Sequence, residues 1–327
     1  MKITLITPAP AGSRKGNRVT AHRWARILRT LGHRVDIQVE HASSNSDFLL
    51  ALHARRSFPS IEQFHRQHPN RPLVLALTGT DLYGDIHTDP QAQQSLEMAS
   101  HLILLQPDGL KQLPKRLHKK TRVIYQSFTC PPGPITPRKR VYEVCVMGHL
   151  RDVKDSFRTA EAVRNLPPES RIEVVHLGAA LDADMETRAR GETAANPRYR
   201  WLGEHPRWKA IRILARSRLL VLTSRMEGGA NVVSEALACS VPVLSSRISG
   251  SIGLLGENYP GYFPVGDTQA LAEQLWRAET DANFYADLKS RCQDRAAIVD
   301  PAGELASWRH LLDELWSSQN KVTALQR

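Results

Sequence analysis

Long hydrophobic runs are missing from this 327-residue chain. Apolar stretches stop at about five residues, as in Leu73 to Leu77, where a membrane-spanning helix needs about 20. Cysteine is scarce as well. The four copies, Cys130, Cys145, Cys239 and Cys292, form no C-x-x-C pair and have no histidine at zinc-ligand spacing, which speaks against a metal cluster or a disulfide framework. Cys145 and Cys239 stand in apolar surroundings and read as core. Acidic residues are outnumbered, 33 against 44 lysines and arginines, so the formal net charge is +11. The partners to expect are therefore anions: nucleic acid, an acidic membrane surface or phosphorylated small molecules. The start of the chain lacks the marks of a signal peptide, because the β-prone run Met1 to Thr7 stops at Pro8 without an extended apolar region or a small-residue cleavage site. A cytoplasmic protein is expected.

What is present is an ordinary globular composition, with 41% hydrophobic and 24% charged residues, enough to fill a sizeable core. At about 150 residues per domain, the length predicts two domains. The chain opens as strand, loop, helix, strand. Lys2 to Thr7 is β-prone, Ala21, Trp24, Ala25, Leu28 and Leu31 recur at helical spacing, and Gly32 ends that helix before the strand-like Val35 to Val39. Short apolar runs at Leu73 to Leu77, Leu102 to Leu105 and Val123 to Tyr125 then predict a parallel sheet covered on both faces, a Rossmann-type arrangement. Pro131, Pro132, Pro134 and Pro137 exclude a helix or central strand, so Cys130 to Arg140 reads as an interdomain linker. The alternation restarts with strands over Val141 to Met147, Ile172 to Leu177, Leu219 to Thr223 and Val241 to Ser245. A last helix after Pro301 carries Leu305, Trp308, Leu312 and Leu315 as an apolar stripe. The expected domains are residues 1–138 and 139–302, with a terminal helix over about 303–327 packing back on the first.

The segment Thr223 to Val243 holds the candidate chemistry. A strand ends near Thr223, Gly228 and Gly229 let the backbone come close to a ligand, and a helix starts near Asn231. The N–H groups around Ala230, Asn231 and Val232 can then bind a diphosphate. Glu227 on the loop and Glu235 about one turn into the helix set two carboxylates at opposite ends of a ligand held there. Sugar and ribose hydroxyls are natural partners for such acceptors.

Glu227 and Glu235, with seven residues between them, and the following Ala-Leu-Ala-Cys-Ser-Val-Pro-Val resemble the E-x7-E motif of the retaining glycosyltransferases of family 4. The resemblance implies an α/β GT-B fold, two Rossmann-like domains facing each other across a cleft. It also implies that Glu227 faces the donor hexose and Glu235 the ribose hydroxyls of the nucleotide. Gly148 to Asp155 resembles the loop where that family clamps the donor diphosphate with an arginine and a lysine. Lys154 falls on the lysine, His149 stands where the arginine is expected, and Arg151 is the alternative second cation. Such charges neutralise a leaving diphosphate as its bond to the sugar breaks. Gly203 and Glu204 match the region that meets the nucleotide base. Gly16, Asn17 and Arg18 occupy the place of the glycine-rich loop lining the acceptor site, with Asn17 in place of one glycine. Thr78, Gly79, Thr80 and Asp81 resemble the family's H-G-[ST]-D segment, with Thr78 for the histidine. Asp81 either holds the acceptor loop or caps a helix.

A retaining enzyme of this kind is expected to need no cofactor and no metal, with rate coming from positioning and phosphate neutralisation. Within the family, Gly148 to Asp155, Trp201 to Glu204, Leu222 to Glu235 and Tyr259 to Asp267 together look like the selenosugar synthases of selenoneine biosynthesis. That resemblance implies transfer from UDP-N-acetylglucosamine or UDP-glucose to selenophosphate, with a new carbon–selenium bond. A small anionic acceptor suits the positive charge, and Arg18 is a candidate for binding it because guanidinium matches phosphate geometry. Two other readings compete. One is a family 4 transferase with a lipid or polysaccharide acceptor, for which Lys111 to Lys120 either touches anionic lipid or forms a solvated turn broken at Pro114. The other is a non-enzymatic nucleic-acid-binding protein, suggested by charge alone and accompanied by no recognition-helix, zinc-finger or aromatic RNA-binding signature. Neither a nucleic-acid partner nor stable membrane insertion is expected.

Overall fold

The computed structural model describes residues 1–13, 16–42, 45–133 and 135–325, with side chains through residue 317. Pro134 of the proline-rich segment and residues 326–327 of the expected terminal helix lie outside the described residues. The chain divides into two compact units, Met1–Gln126 with Pro301–Arg327, and Ser127–Asp300.

In the first unit six strands form one parallel sheet: β1 (Lys2–Ile6), β2 (Arg34–Gln38), β3 (Phe48–Leu52), β4 (Leu73–Ala76), β5 (His101–Leu104) and β6 (Thr121–Val123). Their order is β2-β1-β3-β4-β5-β6. The sequence reading passed over β3, although its FLLAL run is buried at all five positions, as suits a parallel strand covered on both faces. One face packs Trp24, Ala25 and Leu28 of the helix Gly16–Thr30 against Trp308, Leu311 and Leu315 of the helix Pro301–Leu325. The Trp24 and Trp308 rings meet edge to face with centroids 5.0 Å apart, and Trp24 Nε1 donates to the buried Glu304 Oε1 at 2.8 Å. The other face packs Ile61 and Phe64 of the helix Phe58–Gln67 with Ala92 and Leu96 of the helix Pro90–Met98.

The second unit repeats the plan with β7 (Tyr142–Met147), β8 (Ile172–Leu177), β9 (Tyr199–Trp201), β10 (Leu219–Leu222), β11 (Val243–Ser246) and β12 (Tyr262–Phe263). Their order is β12-β11-β10-β7-β8-β9, again parallel. The chain therefore leaves the centre one way through β8 and β9 and the other way through β10 to β12. That places a topological switch point between β7 and β10, outside whose carboxyl ends ligands bind in open α/β sheets.

The unit boundary at Gln126 and Ser127 falls ahead of the expected 138/139. The segment before the prolines is already tied into the second unit, because Phe128 N–H donates to Val299 O at 3.0 Å and Cys130 is disulfide-bonded to Cys239 across 109 residues. This bond corrects the exclusion of disulfides. It also corrects the placing of Cys239, which stands half-buried at the end of the helix Asn231–Ala238 and is not a core thiol. Local spacing carries no signal for a partner so distant in sequence. Cys145 and Cys292 are free and buried.

Candidate active site

The loops after β7 and β10 flank the switch point of the second unit and are laced together. Thr223 Oγ1 lies 2.9 Å from Lys154 O and 3.0 Å from Asp155 O, and Arg225 N–H donates to Val153 O at 2.9 Å. Bonding to the loop backbone of this kind fixes where the side chains emerge. Lys154 Nζ forms an ion pair with Glu227 Oε1, whose side chains are 26% and 13% exposed. Ser224 Oγ donates to the same carboxylate oxygen at 2.7 Å. Two glycines make the close packing possible. A Cβ at Gly250, near the start of the helix Ser249–Leu255, would collide with the carbonyl of Glu227. A Cβ at Gly178 would collide with the carbonyl of Gly148, and its φ of +153° strains any other residue.

Glu235 sits on the helix Asn231–Ala238, which starts directly after Gly228, Gly229 and Ala230. The cap residue of that helix, Ala230, makes no side-chain cap bond. The Glu235 side chain is 2% exposed and its Oε1 accepts from Arg207 Nη2 at 2.5 Å. Arg207 begins the helix Arg207–Arg216 and lies over the Phe128 ring, 5.3 Å from its centroid.

The remaining donor-side candidates lie on the same end of this sheet. His149 Nδ1 accepts from Ala179 N–H at 3.1 Å, so a backbone bond sets the ring orientation. Arg151 contributes backbone to the loop, its N–H donating to Ser156 Oγ at 3.1 Å and its carbonyl accepting from Lys154 N–H at 3.0 Å. The cation brought to Glu227 is thus Lys154. Gly203, in a left-handed conformation, accepts from Gly178 N–H at 2.9 Å, and Glu204 next to it is exposed. Beneath the loop, buried His176 is hydrogen-bonded through Nε2 to Gly148 O at 3.3 Å and through Nδ1 to Tyr199 OH at 2.8 Å. Burial lowers its pKa to about 4, so the ring is neutral and Nε2–H donates to the carbonyl. The sequence reading missed this support, since a histidine within a β-strand carries no motif.

The first unit has its own switch point, between β1 and β3. Gly16, Asn17 and Arg18 open the helix that follows β1, and the nearly buried Arg18 donates from Nε to His22 Nε2 at 3.1 Å. Thr78 to Asp81 follow β4. Asp81 is fully buried and accepts from Thr78 N–H and Gly79 N–H, each at 2.9 Å, and from Ala54 N–H at 3.0 Å. Asp81 thereby ties the β4 loop to the end of β3, and the cap residue of the π-helical turn Asp81–Asp85 is Thr80. Sequence reasoning also overlooked His53. It follows β3 with a φ of +78°, is buried, and has its Nε2 3.1 Å from Thr80 Oγ1. A non-glycine residue held there is strained, as residues at functional sites often are.

Among the described residues, no group of three or more His, Cys, Asp and Glu could hold a metal ion, and no helix is long and apolar enough to cross a membrane.

The two parallel six-stranded sheets have the architecture of the GT-B fold, and residues 134–295 match the family model of glycosyl transferases, group 1. The HepE protein of Anabaena, solved with UDP and glucose, has TM-score 0.72 and 17% identity, covering 97% of this chain and 100% of that one. Sucrose-phosphate synthase of Thermosynechococcus elongatus has TM-score 0.77 and 15% identity, covering 97% and 99%. At these identities the likeness speaks for the fold. In sequence, the chain is 27% identical over 166 residues to the putative teichuronic acid biosynthesis glycosyltransferase TuaC of Bacillus subtilis, 48% of this chain and 39% of that protein. It is 31% identical over 83 residues to N-acetyl-alpha-D-glucosaminyl L-malate synthase of Bacillus anthracis, 25% of this chain and 22% of that one. The chain thus matches well under half the length of these curated relatives.

Proposed function

We propose that the protein is a cytoplasmic, retaining glycosyltransferase that moves N-acetylglucosamine or glucose from a UDP-sugar to selenophosphate, forming the carbon–selenium bond of a selenosugar for selenoneine biosynthesis. The observation that carries the donor half is the meeting of Lys154 and Glu227 at the β7/β10 switch point, beside the glycine loop that leads into the helix of Glu235. In this reading the diphosphate lies at the start of that helix, where N–H groups and the helix dipole favour an anion. Lys154 neutralises the charge that develops as the anomeric carbon–oxygen bond breaks. Glu227 orients the hexose and Glu235 the ribose, and His149 or Arg151 completes the phosphate contacts. UDP leaves with the bonding electron pair on the same face from which selenium attacks, so the reaction depends on positioning rather than on a covalent intermediate or a metal. HepE, solved with UDP and glucose, supports a UDP-sugar donor. Selenophosphate as acceptor rests on the resemblance of the Gly148, Trp201, Leu222 and Tyr259 segments and on the net charge of +11, with Arg18 as its phosphate partner.

The test is incubation with UDP-N-acetylglucosamine or UDP-glucose and fresh selenophosphate, following UDP release and searching for a selenium-bearing sugar by mass spectrometry. Selenium-dependent UDP release, lost in Lys154→Ala, is the expected result. UDP release that ignores selenophosphate overturns the acceptor. The similarity over 166 residues to a protein named for teichuronic acid biosynthesis favours one second reading, a polysaccharide or lipid acceptor. UDP release dependent on added membrane lipid or polysaccharide would select it.

A further inference from the structure

Arg207 is the first residue of its helix, whose first turn contains no acidic residue. A cation there faces the positive end of the helix dipole, so the helix itself gains nothing from it. The favourable contacts lie elsewhere. The guanidinium pairs at 2.5 Å with Glu235, a carboxylate 2% exposed, and rests on the Phe128 ring at 5.3 Å. Phe128 is fixed in turn. Its N–H donates to Val299 O at 3.0 Å, and two residues further on Cys130 is bonded to Cys239. Cys239 N–H donates to Glu235 O at 3.1 Å, so ring and carboxylate are anchored to the same helix end. A buried carboxylate that loses its cation is strongly destabilised, and a planar guanidinium holds a carboxylate in one orientation in a way an ammonium does not.

We propose that Arg207 is a positioning residue for the donor nucleotide: held over the Phe128 ring, it fixes the Glu235 carboxylate in the orientation that accepts the ribose hydroxyls. This rests on the reading of Glu235 as the ribose ligand. The test is calorimetric titration of the full chain with UDP and with 2′-deoxy-UDP, which needs no acceptor, with thermal melting to show that each variant is folded. The wild type is expected to prefer UDP, and Glu235→Gln to lose that preference. Arg207→Ala is expected to weaken UDP by about tenfold while leaving 2′-deoxy-UDP within about twofold. Arg207→Lys, which keeps the charge without the planar fork, falls between them, and Phe128→Leu weakens UDP by about threefold. A merely structural role would weaken both nucleotides alike. If Glu235→Gln keeps the preference, the ribose reading fails and takes the proposal with it. If Glu235→Gln loses the preference but Arg207→Ala binds UDP as well as the wild type, binds it more tightly, or loses both nucleotides equally, the ribose reading stands and the role of Arg207 is overturned.

Discussion

Glu227 and Lys154 form a pair whose members do different work in the proposed reaction. Lys154 meets the diphosphate and Glu227 the sugar, and each keeps the other in place before the donor arrives. Lys154→Ala is expected to lower kcat for UDP release by about 100-fold, the scale of losing one preorganised charge. Glu227→Gln, which keeps the shape, should lose less. A steady-state assay of UDP release checks both. His176 gives a prediction on pH. Its folded pKa of about 4 lies below the unfolded 6.5, so between those values the unfolded chain binds a proton that the native state refuses. Stability from this group is complete above about pH 6.5 and is lost as pH falls toward 4, by up to about 3 kcal/mol. Urea unfolding at pH 7 and pH 4.5 should show a difference between the two conditions that shrinks by about 2 kcal/mol in His176→Gln.

At the scale of elements, Gly178 shows how a strand end controls a loop. Gly178→Ala must push the Gly148 carbonyl away, displacing the His149 to Lys154 loop. Donor binding should fall by about tenfold in a protein that still melts cooperatively, as calorimetry with UDP would reveal. The helix Pro301–Leu325 contributes Trp308 to the first unit's core, and Trp308→Ala is expected to cost about 3–5 kcal/mol in chemical denaturation. The helices opening and closing the chain, nine of the twelve described strands and the pair Glu227/Glu235 were legible in the sequence, because apolar periodicity, glycines and seven-residue spacing are local patterns. β9 and β12 were not, being three and two residues long and too short for a period to appear. Neither was the contact of Arg207 with Glu235, 28 residues apart, nor the bond of Cys130 to Cys239. Such pairs are made by the fold bringing distant positions together, and neither partner carries a mark of the other.

For the whole molecule, the two sheets repeat one plan, yet the chemistry assigned to their switch points differs with the residues placed there. The second carries paired carboxylates and a lysine, the first a buried arginine, the Asp81-held loop and a strained histidine. Cys130–Cys239 is expected to be bonded in protein purified without reductant and open in reductant. Burial raises the Cys145 thiol far above its usual range and the Cys292 thiol to about 11, so neither should react with iodoacetamide at pH 8 until the chain unfolds. Peptide mapping by mass spectrometry checks both statements.

The most direct test of the donor site is a crystal structure with UDP bound. The diphosphate is expected within hydrogen-bonding distance of Lys154 and the start of the helix Asn231–Ala238, with the ribose hydroxyls on Glu235. UDP held away from the β7/β10 switch point, or ribose without contact to Glu235, would contradict it.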